Sequence, residues 1–341
     1  MRAVVLSGQG GPEMLRVVDR PTPPVVDGHL QVRVKAAALN HLDIWVREGL
    51  PGGSEPLVPG SDGACVVTAV GAGAGSFAVG DEIVVQPGIW CGVCQACQSG
   101  RENYCPQFAI LGEDADGLLQ EVVNLLPANA YKKPSGLTWA EAASFGLVFL
   151  TAYEMLIVRA GLREGETVLV LAGSSGVGAA AIQIAVDRGA RVIATASSPE
   201  KAAFAKAMGA DETVDHYGPD WHKEALEMAG ASKFQVVVEH VGAATWQQSL
   251  RVLGLGGRIV FCGATTGPEV AIDLRHLFRK QQSVLGSTMG SASSFAQVVE
   301  KFEQRRYRPI VDKVFPLTEI AAAHRYLEQG PRAGKVVLSL E

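Results

Sequence analysis

The sequence predicts an α/β protein of two domains, one β-rich and one built on a parallel sheet, and three observations carry that reading. Short β-branched runs punctuated by Gly and Pro fill the first part of the chain. From residue 166 apolar strands alternate with helical stretches, "TVLVLAG", "GVGAAAIQIAVDRG", "ARVIATAS" and "PEKAAFAKAMGA", which is the pattern of βαβ units. Beyond residue 285 a shorter mixed segment closes on "GKVVLSL", so the parallel-sheet domain is expected to be inserted into the other. The expected boundaries are 1–145, with a cysteine lobe at 88–106, then 146–284 for the insertion and 285–341 for the return. A length of 341 residues suits two domains better than one.

Taken in order, "MRAVVLS", "LRVVD" and "LQVRVKAAAL" read as strands, and "VVTAVGAGAGSFAVGDEIVVQPG" adds a Gly-rich loop at 70–75 and a strand at 82–86. "TWAEAASFGLVFLTAYEML" is helical in composition and opens with Thr138 as N-cap before Glu141. "FQVVVEHVG" and "GGRIVFCG" are further buried-type strands, and a helix is expected at 318–329. With 48% hydrophobic residues and a formal net charge of -5, the chain has a globular composition without the basic surface that nucleic-acid binding relies on. No apolar run is long enough to span a bilayer, and "MRAVVLSGQGGPEML" resembles neither a signal nor a transit peptide. A cytoplasmic protein with reduced thiols is therefore expected, acting on a small molecule, with neither nucleic acid nor membrane as partner.

"TVLVLAGSSGVGAAAIQIA" is a strand, a Gly-rich turn and an Ala-rich helix, the context in which backbone N–H groups approach a pyrophosphate at the positive end of a helix. The turn runs Gly173, Ser174, Ser175, Gly176, Val177, Gly178. It keeps the outline of a dinucleotide fingerprint, with Ser175 in place of the middle glycine. At the end of the next strand an NAD site commonly has a carboxylate for the ribose 2'-hydroxyl. Here "VIATASSPEK" offers Ser197, Ser198 and Lys201, which favours NADP(H) over NAD.

These residues carry a resemblance to the medium-chain dehydrogenase/reductase superfamily. "ALNHLDIWVREG", "VPGSDGACVVTAVGAGAGSFAVGDEIV", "RENYCPQFAILGEDADG", "AGSSGVG" and "GKVVLSL" occur in its expected order over essentially the whole chain. "NHLDIWVREG" and "PGSDGA" look most like its quinone oxidoreductase and zinc-type alcohol dehydrogenase-like branch. The resemblance implies a GroES-like catalytic domain, a Rossmann domain of doubly wound parallel sheet, an active site in the cleft between them, and a homodimer or homotetramer assembled largely through the Rossmann domains. It also implies cofactor contacts at His41, Thr151 and Tyr217, and more weakly at Gly263, Ser287 and Lys335. His240 is expected near the cofactor or in a structural strand-end role.

Cys91, Cys94, Cys97 and Cys105 follow C-x2-C-x2-C-x7-C, a set of thiolates suited to tetrahedral Zn2+ and closed to substrate. The spacing matches the superfamily's structural zinc lobe at every ligand, and a redox switch or a metal-free lobe are the alternatives. Cys65 and Cys262 lie in apolar runs and read as core thiols. The resemblance places the ligands of a second, catalytic zinc at Asn40, at Ser61 and Asp62, and near Leu147, and Asn, Ser and Leu are poor ligands. Leu42 also stands where a hydroxyl residue usually relays the proton. Alcohol oxidation needs metal help to deprotonate the hydroxyl, whereas hydride transfer to a quinone or an α,β-unsaturated carbonyl does not. The expected activity is NADPH-dependent reduction of such acceptors. Asn40 is the leading hydrogen-bond donor, Trp45 a candidate aromatic wall, and Asp43 either a catalytic group or the partner of Arg47 in a structural pair. An alcohol dehydrogenase with an unusual site, or an NADPH-binding sensor, are the competing readings.

Overall fold

The structure is a computed structural model that describes residues 1–49, 56–231 and 233–341. It divides into a unit of residues 1–147 and 290–341 and a unit of residues 148–289. The first unit opens with β1 (Arg2–Leu6), β2 (Leu15–Asp19), β3 (Leu30–Ala38), α1 (His41–Glu48), β4 (Asp62–Val70) and β5 (Glu82–Val85). The cysteine lobe holds β6 (Gly88–Ile89), α2 (Gln95–Gln98) and β7 (Ala109–Ile110), and β8 (Val122–Leu125), β9 (Ala130–Lys132) and α3 (Trp139–Ala143) follow. After α4 (Gly146–Tyr153), the second unit alternates β10 (Thr167–Val170), α5 (Gly176–Asp187), β11 (Arg191–Ala196), α6 (Pro199–Ala207), β12 (Glu212–Asp215), α7 (Trp221–Ala229), β13 (Phe234–Glu239), α8 (Trp246–Val252), β14 (Leu253–Phe261), α9 (Leu274–Arg279) and β15 (Ser283–Gly286). The chain returns through α10 (Ala292–Glu303), β16 (Val311–Pro316), α11 (Ile320–Gln329) and β17 (Lys335–Ser339).

In the first unit a seven-stranded sheet has the order β16-β17-β3-β4-β5-β9, with β8 also on β3. β3 is central because its "KAAAL" end is small and apolar, and Ala36, Ala37 and Ala38 are buried between β17 and β4. Its register pairs Ala38 with Val337 on one side and with Asp62 on the other. The start of β17, the end of β3 and the start of β4 are thereby brought side by side. One apolar core, from Val4 and Leu6 through Val32, Val34 and Ile83 to Val336 and Leu338, closes this unit. The returning chain is held by aromatic packing: Phe145 stacks on Phe302 at 4.1 Å, and Tyr131 meets Phe295 edge-on at 4.8 Å.

The second unit is a six-stranded sheet in the order β12-β11-β10-β13-β14-β15 with every pairing parallel. The strands carry continuous apolar runs because helices cover both faces, and the strand order reverses between β10 and β13. Its own core gathers Leu169, Ile193, Phe234, Val237 and Ile259 with Trp221 and Trp246.

Several sequence expectations are corrected. The helix anticipated from Thr138 begins as expected, with the Thr138 side chain accepting from Glu141 N, but it stops at Ala143 and restarts at Gly146. A carboxylate explains the interruption: Asp62 Oδ1 accepts from Leu147 N at 2.6 Å, and a Cβ on Gly146 would lie 2.5 Å from that oxygen. The return to the first unit begins at residue 290, not 285, because Ser283–Gly286 pairs with β14 in the parallel sheet. The helix expected at 318–329 is a 3-10 turn over Leu317–Glu319 followed by α11. Cys65 is fully buried as expected, whereas Cys262 is only partly so.

α11 buries His324 completely, and neither ring nitrogen has a hydrogen-bond partner among the described residues. Burial, and after it the Arg47 charge, push this imidazole down from 6.5 to about 3. Between those values the unfolded chain takes up a proton that the folded chain refuses, so stability is present above pH 6.5 and is lost as pH falls toward 3. Urea unfolding between pH 7 and 4 is expected to show this loss, with a limiting slope of about 1.4 kcal/mol per pH unit from this group. His324→Leu is expected to remove that component, and an unchanged acid limb in the variant would refute the assignment.

Candidate active site and cysteine lobe

The register of β17, β3 and β4 assembles the most unusual polar cluster of the first unit. Asn40 follows the end of β3, Asp62 opens β4 and Lys335 opens β17, and all three side chains are buried, with 3% of the Lys335 residue and none of Asp62 exposed. The Lys335 ammonium donates to Asp62 Oδ2 at 2.9 Å and to Asn40 Oδ1. Asn40 Nδ2 donates to the same Asp62 oxygen at 3.0 Å, and the other Asp62 oxygen takes the Leu147 N–H at the start of α4. Each carboxylate oxygen is thus satisfied, which a buried charge requires, and the helix N-terminus adds favourable potential. Ser61, which directly precedes Asp62 in the chain, is 1% exposed, and its hydroxyl has no hydrogen-bond partner among the described residues.

The positions matched by resemblance to catalytic-zinc ligands therefore do converge, but the residues in them do not fit the metal. No thiolate or imidazole is among them. The one carboxylate is already neutralised by a lysine ammonium, and a divalent cation on the same oxygens would be repelled by it. Lys335, expected as a cofactor contact, gives two of its three ammonium hydrogens to Asp62 and Asn40. Asn40 keeps one amide hydrogen beyond the one given to Asp62.

Asp43 is not paired with Arg47, as one expectation had it. Its carboxylate accepts from the backbone N–H of Asn40 at 2.7 Å and of Gly60 at 3.1 Å, tying α1 to the segment that leads into Asp62. Burial pushes it up to about 6 despite those donors. Arg47 pairs with Glu328 and with Glu48. His41 and Trp45, one turn apart on α1, are half-buried and meet edge-on at 4.9 Å. Burial, and then the Arg332 charge, hold the His41 imidazole below its ordinary value.

In the second unit the expected cofactor residues cluster at the carboxyl ends of the parallel strands, where an open α/β sheet binds its ligands. The Gly-rich turn follows β10, Ser197 follows β11, His240 follows β13, Gly263 lies two residues beyond β14, and Ser287 follows β15. Ser175 caps α5, its hydroxyl accepting from Gly178 N at 3.0 Å and lying 3.0 Å from His240 Nε2. Gly178 is obligatory, because a Cβ there would sit 2.3 Å from the Ala172 carbonyl. Ala172 itself is held at φ 46, with its N–H on Thr195 Oγ1. That turn leaves the Gly176 and Val177 N–H groups at the helix start with no intrahelical partner, and the buried Ser287 hydroxyl has none among the described residues. These unpaired donors fit a pyrophosphate and a polar cofactor group. Thr151 is buried on α4.

Beyond β11, Ser198 caps α6 and accepts from Lys201 N, while Ser197 and Lys201 are partly exposed. Tyr217 is 77% exposed and meets the His216 ring edge-on at 4.8 Å. The sequence reading missed His216, which bonds Thr195 Oγ1 at 3.1 Å and is held below its ordinary value by burial, against Asp215, with Lys201 acting in the same sense. It also missed Asp215, beside Ala196 in the adjacent strand, whose Oδ1 is taken by Tyr217 N. A further missed residue is Glu239, fully buried at the end of β13. It accepts from Val241 N, Gly242 N, Thr245 Oγ1 and Ser249 Oγ, so it shapes the turn after the strand.

The four lobe cysteines converge as their spacing suggests, with sulfur ligand atoms all within 4.8 Å of one another. Cys91 lies 3.9 Å from Cys97 and 3.6 Å from Cys105, and Cys94 lies 3.5 Å from Cys97. A tetrahedron with Zn–S bonds of about 2.3 Å has S–S edges of roughly 3.8 Å, so the set fits that ion. Gln107 N donates to Cys105 Sγ, and backbone N–H groups of Val93 and Cys94 hold the Cys91 thiol below its ordinary value.

Removing one member of the buried triad separates its parts. Asp62→Asn leaves the Lys335 ammonium without a counter-charge and is expected to destabilise by about 3–5 kcal/mol, whereas Asp62→Leu combined with Lys335→Met is expected to recover most of that loss in urea unfolding. Equal losses in the single and double variants would contradict the pairing.

An alcohol dehydrogenase GroES-like domain model matches residues 26–135, and a zinc-binding dehydrogenase model matches residues 176–304. The chain is 32% identical, over 100% of its length and 99% of the relative, to a zinc-type alcohol dehydrogenase-like protein of Schizosaccharomyces pombe. It is 31% identical to a crotonyl-CoA carboxylase/reductase of Cereibacter sphaeroides, over 92% of this chain and 81% of that one, and 31% identical to a quinone oxidoreductase of Pseudomonas aeruginosa over 99% of each. A solved structure described as an NAD-dependent alcohol dehydrogenase superposes with a TM-score of 0.97 at 47% identity over 100% of both chains. With a GroES-like domain, a parallel-sheet domain of Rossmann order and relatives that match end to end, the chain belongs to the medium-chain dehydrogenase/reductase superfamily and is an oxidoreductase of that family.

Proposed function

We propose that the protein reduces quinones or α,β-unsaturated carbonyls with NADPH, with no metal at the reacting centre and a structural Zn2+ on Cys91, Cys94, Cys97 and Cys105. The observation that supports this reading most is the Lys335–Asp62–Asn40 triad at the positions where zinc-dependent relatives would place their catalytic ligands. When bound, NADPH supplies the hydride. The α5 N-terminus and the Gly173–Gly178 turn bind the pyrophosphate, and Ser197, Lys201 and Tyr217 receive the 2'-phosphate. Asn40 uses its second amide hydrogen to orient the acceptor carbonyl and stabilise the charge that arrives on its oxygen. Lys335, bonded to the amide oxygen of Asn40, polarises that donor. A crotonyl-CoA carboxylase/reductase and a quinone oxidoreductase among the relatives support both acceptor classes.

A second reading, NAD-dependent alcohol oxidation, is favoured by the description of the structure that is 47% identical. The donor set at Asn40, Ser61 and Asp62 weighs against it. Homodimerisation through the second unit fits its exposed edge. β15 ends the sheet, and Leu255, Leu274 and Phe278 on neighbouring segments are 75%, 69% and 68% exposed. Among the described residues no helix is long and apolar enough to cross a membrane, and six unbonded cysteines fit a reducing cytoplasm.

The purified protein is expected to oxidise NADPH with 1,4-benzoquinone or cyclohexenone at a rate unaffected by added zinc. Lys201→Ala is expected to raise the Kd for NADPH about tenfold, the loss of one phosphate contact, and to leave that for NADH unchanged. A preference for NAD+ with an alcohol-dependent rate that rises with zinc would overturn the reading. About one zinc per chain is expected after dialysis, kept in Asn40→Ala and lost in Cys94→Ser. About two per chain would place a second metal where the triad lies.

A further inference from the structure

The motif "ILGEDADG", residues 110–117, forms a loop strapped to the segment that enters the triad. Gly117 N donates to Val58 O at 2.6 Å, Leu118 N to Gly60 O at 2.8 Å and Leu119 N to Pro59 O at 3.0 Å. Approach is so close that a Cβ on Gly112, which adopts φ 85, would lie 2.6 Å from Gly60 N. Gly60 N in turn donates to Asp43, and Ser61 and Asp62 follow it directly. The loop carries three carboxylates, and two have plain structural work. Asp114 Oδ2 accepts from Ile110 N, and Asp116 accepts from Val58 N and pairs with Arg20. Glu113, the residue after the Gly112–Gly60 contact, is half-buried, and its carboxyl meets neither a hydrogen-bond donor nor a cation among the described residues.

We propose that Glu113 is the proton donor that completes the reduction of an α,β-unsaturated carbonyl, an inference that rests on the reductase reading above. A carboxyl without donors or counter-charge among the described residues has no structural role there that its ionised form would serve, and half-burial leaves it open to reprotonation by water. Burial, and after it the neighbouring Asp114 charge, push Glu113 up to about 7, the range useful to a general acid at neutral pH. Among the described residues, the segment strapped to the loop leads to Asp43 and to the Lys335–Asp62 pair, and Arg20 is held by Asp116. With a hydride that bound NADPH would supply added at the β-carbon, the alkene electron pair would shift to give an enolate. The Glu113 O–H bond then breaks as its proton joins the α-carbon. The carboxylate regains a proton from water, so that NADPH, a proton and the enone give NADP+ and the saturated ketone.

The test uses the full-length protein, NADPH and 2-methylcyclohexenone, in which protonation of the α-carbon creates a stereocentre. Wild type is expected to give one enantiomer in excess, with kcat falling as pH rises through about 7. Glu113→Gln is expected to lower kcat about 100-fold, to abolish the alkaline limb and to erase the enantiomeric excess, with the Kd for NADPH and the thermal midpoint unchanged. Glu113→Asp is expected to restore part of the rate and the limb. Should Glu113→Gln fold poorly, the same limb and a solvent deuterium isotope effect in Glu113→Asp and wild type decide the matter. Retention of rate, limb and enantiomeric excess in Glu113→Gln would overturn the proton-donor role while leaving the reductase reading intact. A wild type that reduces 1,4-benzoquinone but not the enone would overturn the proton-donor role alone, and one that reduces neither would end both.

Discussion

The buried pairing of Lys335 with Asp62 constrains much of the first unit. An ammonium and a carboxylate withdrawn from water are tolerable only when each remaining lone pair or proton finds a partner, and here every partner comes from a different part of the chain. Asn40 bridges the two charges from the end of β3, and Leu147 N closes the far carboxylate oxygen from the start of α4. The network therefore holds three neighbouring strands in register and fixes where a helix must begin. Gly146 follows from the same demand, since any side chain there would displace the carboxylate.

That electrostatic arrangement also limits the chemistry. A site whose carboxylate is already compensated has little attraction left for a divalent ion, yet it holds an amide whose acceptor side is bound to a cation. Such an amide is a better hydrogen-bond donor on its other side. In the proposed reduction, charge arriving on a carbonyl oxygen would be met by this preorganised dipole, which would suit acceptors that can delocalise an electron pair. The second unit contributes by backbone geometry: the turn after β10 forces Ala172 into a left-handed conformation and leaves helix N–H groups free, while Glu239 spends a buried charge on shaping the turn after β13.

Local chemistry was legible in the residues wherever a short segment specifies its own structure. The Thr138 cap, the strand–turn–helix around Gly173 and Gly178, and the convergence of four cysteines within fifteen positions all depend on neighbours close in sequence. The single helix expected after Thr138 failed because the carboxylate that interrupts it comes from Asp62, far earlier in the chain. The expected partnership of Asp43 with Arg47 failed because backbone donors at Asn40 and Gly60 were nearer than the guanidinium, which Glu328 of α11 takes instead.

By itself the sequence determined the class, the order of the two units, the superfamily and the cysteine lobe, because alternation, turn chemistry and ligand spacing are properties of short stretches. Only the tertiary structure decided what Lys335, Asn40 and Asp62 do. They lie 22 to 295 residues apart, and strand register alone sets them in contact. It likewise singled out Glu113 from the two carboxylates beside it, since whether an acid is solvated, paired or neither is a property of what folds over it.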